Sequence, residues 1–298
     1  SSAASDVYKR QVIYTLQPQA SLTVIDQSTG EVKAIVGGRG DKTASKTLNR
    51  ATDTTRQPGS TFKILAAYSA ALDAGGLTLA SVQDDAPYTY AGANGKSVNN
   101  YDRRYRGFTT LREAITDSIN IVTVKTLAQA GVSLGWQYVQ EYGFTTVDSR
   151  DMNEALALGG ITQGVSNLEL TAAYAAIANQ GTYIRPKFYT KILDHDGNVL
   201  IDNTTPESHT VIKDTTAWLL TSAMEDVMTS GTGTSAYFGS SMAQAGKSGT
   251  TTSSRDALFA GYTPYYTCAV WGGYDDNAMQ KGSDTNYPKR IWKAVMKR

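Results

Sequence analysis

The chain has 298 residues, of which 41% are hydrophobic and 18% charged, and its formal net charge is +1. That length and apolar content suit one large core or two small ones and exclude a disordered polar tail. A near-neutral balance without a dense basic block leaves no electrostatic footprint for nucleic acid or a membrane surface.

Residues 1–11, Ser-Ser-Ala-Ala-Ser-Asp-Val-Tyr-Lys-Arg-Gln, lack the apolar core of a signal peptide and match nothing downstream in texture. They read as a non-native leader, which leaves 12–298 as the domain. Leu22 and Val24, then Val32, Ile35 and Val36, flank the turn Asp26-Gln-Ser-Thr-Gly30 and predict a hairpin over 21–37. A polar loop runs to Gln57. Pro58-Gly59-Ser60 then opens a helix, with Ile64, Leu65, Tyr68, Ala71 and Leu72 at helical spacing and Gly75 as its stop. Residues 84–107, rich in Gly, Asn, Asp and Tyr, read as a long loop. Helices follow over 111–115, 121–130 and 168–179, the last closed by Gly181. A hairpin over 182–201 turns at Asp196-Gly197, and Asp214 caps a helix to about Met228. Three short strands centre on Lys247, Phe259 and Ala269, and a helix over 291–297 runs into the last residues, as in a truncated chain.

Strands, a helical middle, strands and a final helix disfavour a parallel doubly wound sheet. The expected class is α+β. An antiparallel sheet joins N- and C-terminal strands between helices, and a mostly helical lobe is attached. The single cysteine, Cys268, precludes an internal disulfide or a cysteine-based metal site, and reads as core in a buried strand. No stretch reaches the ~18 apolar residues of a membrane span.

Three short patterns carry chemistry. In Ser60-Thr-Phe-Lys63 the serine and lysine share a helix face, with Ser60 at the helix start, where free N–H groups favour an alkoxide. Alone, this pattern equally describes a capping serine and a solvated lysine. Ser118-Ile-Asn120 lies between two helical segments that would frame it. Its rival, Ser97-Val-Asn99, lies in the Gly/Asn-rich loop, where such residues commonly form turns, so Ser118 is preferred. Lys247-Ser-Gly-Thr250 sits on a strand, where a glycine permits close approach and a lysine otherwise protects an edge.

In this order the three triplets form the Ser-x-x-Lys, Ser-x-Asn, Lys-Thr-Gly set of β-lactamases and penicillin-binding proteins. Arg56-Gln-Pro-Gly-Ser-Thr-Phe-Lys63 resembles the acylation motif of the class A, bifunctional penicillin-binding proteins. Val24-Ile-Asp26, Gly30-Glu-Val-Lys-Ala-Ile-Val-Gly-Gly38, Asn49-Arg-Ala51 and Thr110-Leu-Arg-Glu-Ala114 are similar to that family as well. So are Ala157-Leu-Gly-Gly160, Gly164-Val165, Glu169-Leu170, Ala173-Tyr174-Ala175, Ala178-Asn179 and Gly261-Tyr-Thr-Pro264, over about residues 20–275. Two departures stand out. Ser248 replaces the more usual threonine but keeps its hydroxyl, and Leu258 stands where tryptophan is common.

The resemblance implies a transpeptidase domain in which Ser60 is acylated by a D-Ala-D-Ala stem peptide and then by an amine acceptor's attack forms a cross-link. No Ser-His-Asp triad is available, since His195 and His209 fall in exposed segments, so Lys63 is the candidate base. Its pKa must fall by about 3 units, ~4 kcal/mol, for which burial and the Lys247 charge are suitable causes. Ser118 would relay a proton to the leaving amine between Lys63 and Lys247, and Asn120 would bind the substrate amide. The backbone N–H groups of Ser60 and Thr250 would form the oxyanion hole. Ser248 and Thr250 would bind the terminal carboxylate near Lys247, with Gly249 and Thr252 in the same substrate-binding stretch. No metal or organic cofactor is implied, and β-lactams would acylate Ser60 as mimics of the dipeptide. A membrane anchor and a glycosyltransferase domain would precede this domain at the outer face of the cytoplasmic membrane. A serine β-lactamase, a D,D-carboxypeptidase and a non-turnover β-lactam sensor remain alternatives. For the β-lactamase, Glu154 lies in a suitable region but in the loop Asn153-Glu-Ala-Leu-Ala-Leu158, which is not that family's.

Overall fold

The N-terminal hairpin forms where the apolar alternation places it, with β1 at Gln19–Asp26 and β2 at Glu31–Val36. The computed structural model describes residues 17–42, 44–91, 95–281 and 285–298, so the leader expected at 1–11 lies outside them. Between the hairpin and the helices runs the polar loop to Gln57. A helix, α1, then winds as a π-helix over Lys63–Tyr68 and as an α-helix over Ser69–Asp73. It is preceded by a 3₁₀ turn, Gly59–Thr61, where an unbroken helix was expected.

The expected loop at 84–107 instead carries paired strands. β3 (Val82–Asp85) pairs with β6 (Gly107–Thr110), and β4 (Tyr88–Thr89) with β5 (Ser97–Val98). These are backbone pairings that a polar composition neither signals nor forbids. Next come α2 (Leu111–Thr116), started by a Thr110–Glu113 capping box, and α3 (Asn120–Ala130). The sequence analysis assigned no element to α4 (Val132–Glu141), which follows Gly131 and contains Gly135. Gly135 is there for closeness: a Cβ on it would sit 2.3 Å from Leu127 and 2.7 Å from the Ala66 carbonyl. α5 (Asn167–Ala178) starts at a Ser166–Glu169 capping box.

The hairpin expected over 182–201 divides. β7 (Thr182–Ile184) pairs with β10 (Ser208–Thr210), and only β8 (Lys191–Leu193) and β9 (Val199–Asp202) form a hairpin about Asp196-Gly197. α6 spans Asp214–Thr229 with Lys213, not Asp214, at its N-cap; Asp214 lies in the first turn, where a carboxylate meets the positive dipole end. The chain closes with β11 (Ala245–Thr250), β12 (Asp256–Tyr262), β13 (Tyr266–Gly273) and α7 (Tyr287–Met296).

One five-stranded sheet, in the order β11-β12-β13-β1-β2, is antiparallel throughout and joins the two ends of the chain. Alternate side chains of its inner strands pack on opposite faces. Phe259, Cys268 and Val270 meet Trp292 of α7, whereas Ala260, Ala269 and Trp271 join the large helical core with Tyr68 and Tyr174. Cys268 is therefore core, and burial pushes its thiol far above the ordinary range. A polar tie fixes α5 to the sheet: Thr23 Oγ1 donates to Asn167 Oδ1 at 2.7 Å, and Asn167 Nδ2 donates to the Ala269 carbonyl at 2.9 Å. The architecture is the expected α+β class, with an antiparallel sheet between helices and a helical lobe.

Candidate active site

The turn bearing Ser60 is held from both sides. Arg56 exchanges two backbone hydrogen bonds of 2.9 Å with Val165. Its guanidinium donates to Asp256 Oδ1 at 2.7 Å and to Asn277 Oδ1 at 3.0 Å, and lies 5.0 Å over the Trp271 ring. Gln57 donates its amide to the Ile161 carbonyl and accepts from the Ile161 N–H at 3.1 Å. Thr61 Oγ1 closes the turn on the Pro58 carbonyl at 2.7 Å. Gly59 adopts φ +54°, and the loop opposite must leave it room: a Cβ on Gly159 would sit 2.5 Å from the Gly59 oxygen. Ser60, half-buried, thus stands on an immobilised backbone at the head of the turn leading into α1.

The segment Ser118–Asn120 closes on Lys63. Fully buried, its amine donates to the Ser118 carbonyl at 2.7 Å and to Asn120 Oδ1 at 2.6 Å, and lies 3.2 Å from Ser118 Oγ. Lys247, also fully buried, donates to Ser118 Oγ at 2.8 Å. Desolvation, with the Lys247 charge in second place, lowers the Lys63 pKa well below a lysine's ordinary value. Burial, aided by Lys289, lowers that of Lys247 to about 7. The two shortest contacts of Lys63 go to oxygens that only accept. A neutral amine has two N–H groups, which those oxygens consume, and the remaining lone pair is left for a hydroxyl. Ser118 itself holds φ +55°, a left-handed backbone rarely taken by serine and found where surrounding structure enforces it.

The third pattern lies along β11, beside the Ser60 turn. A Cβ on Gly249 would come within 2.8 Å of the Pro58 carbonyl, and one on Gly59 within 3.3 Å of the Thr250 nitrogen, so strand and turn touch backbone to backbone. Ser248 Oγ shares a 2.8 Å hydrogen bond with Thr232 Oγ1, and Thr250 is exposed at the strand end. Thr252 is exposed at the head of the 3₁₀ turn Thr252–Ser254, and no hydrogen bond joins its side chain to the other site residues.

The structure therefore brings Ser118, Asn120, Lys63 and Lys247 together, with Ser60 and the strand Lys247–Thr250 adjoining, and leaves Thr252 at the margin. The rival Ser97 is exposed on β5 opposite Thr89, although the Asn99 carbonyl accepts from Asn120 Nδ2 at 2.6 Å. His195 is exposed beside Asp196, and His209 bonds the Glu141 carbonyl; neither joins the site. Three contributors escaped the sequence reading: Thr232, Asn100, and Asp256, which ties Arg56 to Trp271. Each acts across at least 15 residues of chain, and no local pattern marks such a partner.

Comparison with known proteins places the fold and the family. The family model described as penicillin binding protein transpeptidase domain matches residues 20–297. Penicillin-binding protein 1A of Clostridium botulinum (strain Langeland) is 36% identical over 295 residues, covering 95% of this chain and 35% of that protein. Penicillin-binding protein 1F of Bacillus subtilis (strain 168) is 39% identical over 286 residues, covering 93% of this chain and 38% of that protein. This chain thus spans little more than a third of the length of these relatives. Among solved structures, penicillin-binding protein 1A of Haemophilus influenzae superposes with a TM-score of 0.81 at 27% identity, over 93% of this chain and 47% of that one. The PonA1 protein of Mycobacterium tuberculosis in complex with penicillin V gives 0.80 at 25%, over 99% and 80%. With the fold, the motif order and these matches in agreement, the chain belongs to the penicillin-binding protein transpeptidase domain family.

Proposed function

We propose that this domain, residues 12–298, is a peptidoglycan D,D-transpeptidase working through an acyl-enzyme on Ser60. The observation that carries the reading is Ser118 Oγ, 3.2 Å from Lys63 Nζ and 2.8 Å from Lys247 Nζ, beside a Lys63 whose pKa burial lowers well below a lysine's ordinary value. Neutral Lys63 takes the Ser60 proton as Oγ attacks the carbonyl carbon of the penultimate D-alanine. The N–H groups of Ser60 and Thr250 receive the developing oxyanion. The carbon–nitrogen bond to the terminal D-alanine then breaks. Ser118 passes its proton to the leaving nitrogen and regains one from the Lys63 ammonium. An acceptor amine reverses these steps, losing its proton through the same relay, and a cross-link replaces the ester.

Lys247, Ser248 and Thr250 bind the terminal carboxylate, with Gly249 giving that strand its close approach and Thr252 at the outer margin. The carboxylate's charge favours the ammonium form of Lys247 just when Ser118 needs a donor. Asn120 Nδ2 has one hydrogen on the Asn99 carbonyl and the other available to the substrate amide. β-Lactams acylate Ser60 by the same attack. In the full-length protein the domain would stand outside the cytoplasmic membrane, behind an anchor and a glycosyltransferase domain.

Transfer is favoured over β-lactamase-type hydrolysis by the state of Glu154. It is buried, and its two oxygens accept from Tyr88 Oη at 2.9 Å and the Ala91 N–H at 2.8 Å, so it clamps a loop. A fluorescent penicillin tests the reading. A long-lived adduct on Ser60, absent in Ser60→Ala with the fold intact, is the expected result. An adduct on another residue by mass spectrometry would refute the nucleophile, and loss of label within seconds would indicate a β-lactamase.

A further inference from the structure

Helix α3 begins with the catalytic pattern, yet it lacks a cap of its own. Its N-cap residue is Ile119, whose side chain offers no acceptor to the orphan N–H groups of the first turn. The acceptor comes from Asn100, twenty residues earlier. Asn100 Oδ1 accepts from the Asn120 N–H at 3.0 Å and the Ile121 N–H at 3.2 Å. Its Nδ2 donates to both oxygens of Asp85, at 2.8 and 3.0 Å, and to the Arg104 carbonyl at 2.8 Å.

Only one orientation of this amide is possible. The flipped form would set its oxygen against three acceptors and its nitrogen against two donors. Both partners are deeply buried, Asn100 at 2% exposure and Asp85 at 0%, so neither has water as an alternative. Asp85 is held in turn by the Arg106 N–H at 2.9 Å and faces the Arg106 guanidinium at 3.8 Å. The same segment grips the Asn120 side chain, because the Asn99 carbonyl takes Nδ2 and so turns Oδ1 toward Lys63 at 2.6 Å.

We propose that Asn100, gripped by the buried Asp85 carboxylate, is a positioning residue for acyl transfer: it fixes the first turn of α3, and through Asn120 it places the oxygen to which Lys63 donates. The assignment rests on the transpeptidase reading for its catalytic consequence and on the hydrogen-bond geometry for the link to Lys63. Losing a well-placed Asn120 oxygen withdraws an acceptor that stabilises the Lys63 ammonium, so the Lys63 pKa moves further down. Lys247 is the charged group that Lys63 faces, and it is untouched by the change.

The test compares wild type with Asn100→Ala, Asn120→Ala, the double variant and Asp85→Asn. Lys63 is titrated by NMR on lysine-labelled protein, the acylation rate is read with a fluorescent penicillin, and thermal unfolding is followed in parallel. Asn100→Ala should displace the Lys63 midpoint downward and slow acylation by about 10- to 100-fold, the range for a residue that orients a reacting group. The double variant should acylate within about twofold of Asn120→Ala alone, because both changes act through one bond. Asp85→Asn keeps the shape but removes the gripping charge; it should give a smaller displacement of the same sign, and serves where Asn100→Ala does not fold. An unchanged Lys63 midpoint in folded variants, or effects that multiply in full, would overturn the proposal. A wild type that penicillin never acylates would instead sink the transpeptidase reading, while the Lys63 titration still decides the role of Asn100.

Discussion

Lys63 donates hydrogen bonds to two oxygens and has one direction left for a hydroxyl, and the proposed base role can be told from that of a positioning charge. Arginine keeps the charge and does not release its proton in a protein. Lys63→Arg should therefore acylate as poorly as Lys63→Ala. Second-order rates with penicillin would show it, and an arginine variant within about tenfold of wild type, a barrier change of only ~1.4 kcal/mol, would refute the general-base role. The wild-type rate should rise with pH as Lys63 loses its proton, around a midpoint well below the ordinary 10.5. The linkage has the same sign. A lysine whose folded pKa is depressed binds fewer protons folded than unfolded, so its contribution to stability grows as pH rises from the folded pKa toward 10.5 and is least below it.

At the scale of elements, the site is an encounter of backbones. The Ser60 turn is pressed between the Gly159 loop and β11, with no room for a methyl group at Gly159, whose φ is +74°. Gly159→Ala should lose about 2 kcal/mol or more of stability through clash and left-handed strain, and should slow acylation further than its thermal shift explains. Circular dichroism melting with penicillin kinetics checks both; a variant that melts and acylates like wild type would show the turn to be looser than drawn. What was legible in the sequence follows the same division. Ser60 with Lys63, Ser118 with Asn120, and Lys247 with Thr250 are each two to three residues apart, so a local pattern exposes them. The hairpin and the three C-terminal strands are likewise written in short apolar runs. Asn100, Thr232 and Asp256 act across 15 to 200 residues through single polar groups, and nothing beside them in sequence announces the partner. α4 carries Gly135, a poor helix former, in its interior, yet that glycine serves a close helix crossing. The π-helical stretch Lys63–Tyr68, where the Ser69 N–H reaches back to the Ile64 carbonyl, leaves no signature in composition either.

For the whole molecule, the deciding arrangement is the insertion of β1 between β13 and β2, with Val24 opposite Cys268 and Leu22 opposite Val270. The partners are 244 residues apart in Val24 and Cys268. A ribosome adding about 5–20 residues per second reaches β13 roughly 12–50 seconds after releasing β1. During that interval the hairpin has one strand edge without its neighbour, and the lobe carrying Lys63 and Ser118 lacks the strand carrying Lys247. Stalled nascent chains ending before Tyr266 should therefore be cut by protease within residues 19–36, and chains extended through Met296 and clear of the exit tunnel should be protected there. Equal protection of both would mean that the hairpin finds shelter without β13. The order of synthesis thus imposes a timetable on this domain: Ser60, the proposed nucleophile, is translated early, but the pocket around it is complete only once the last strands have emerged.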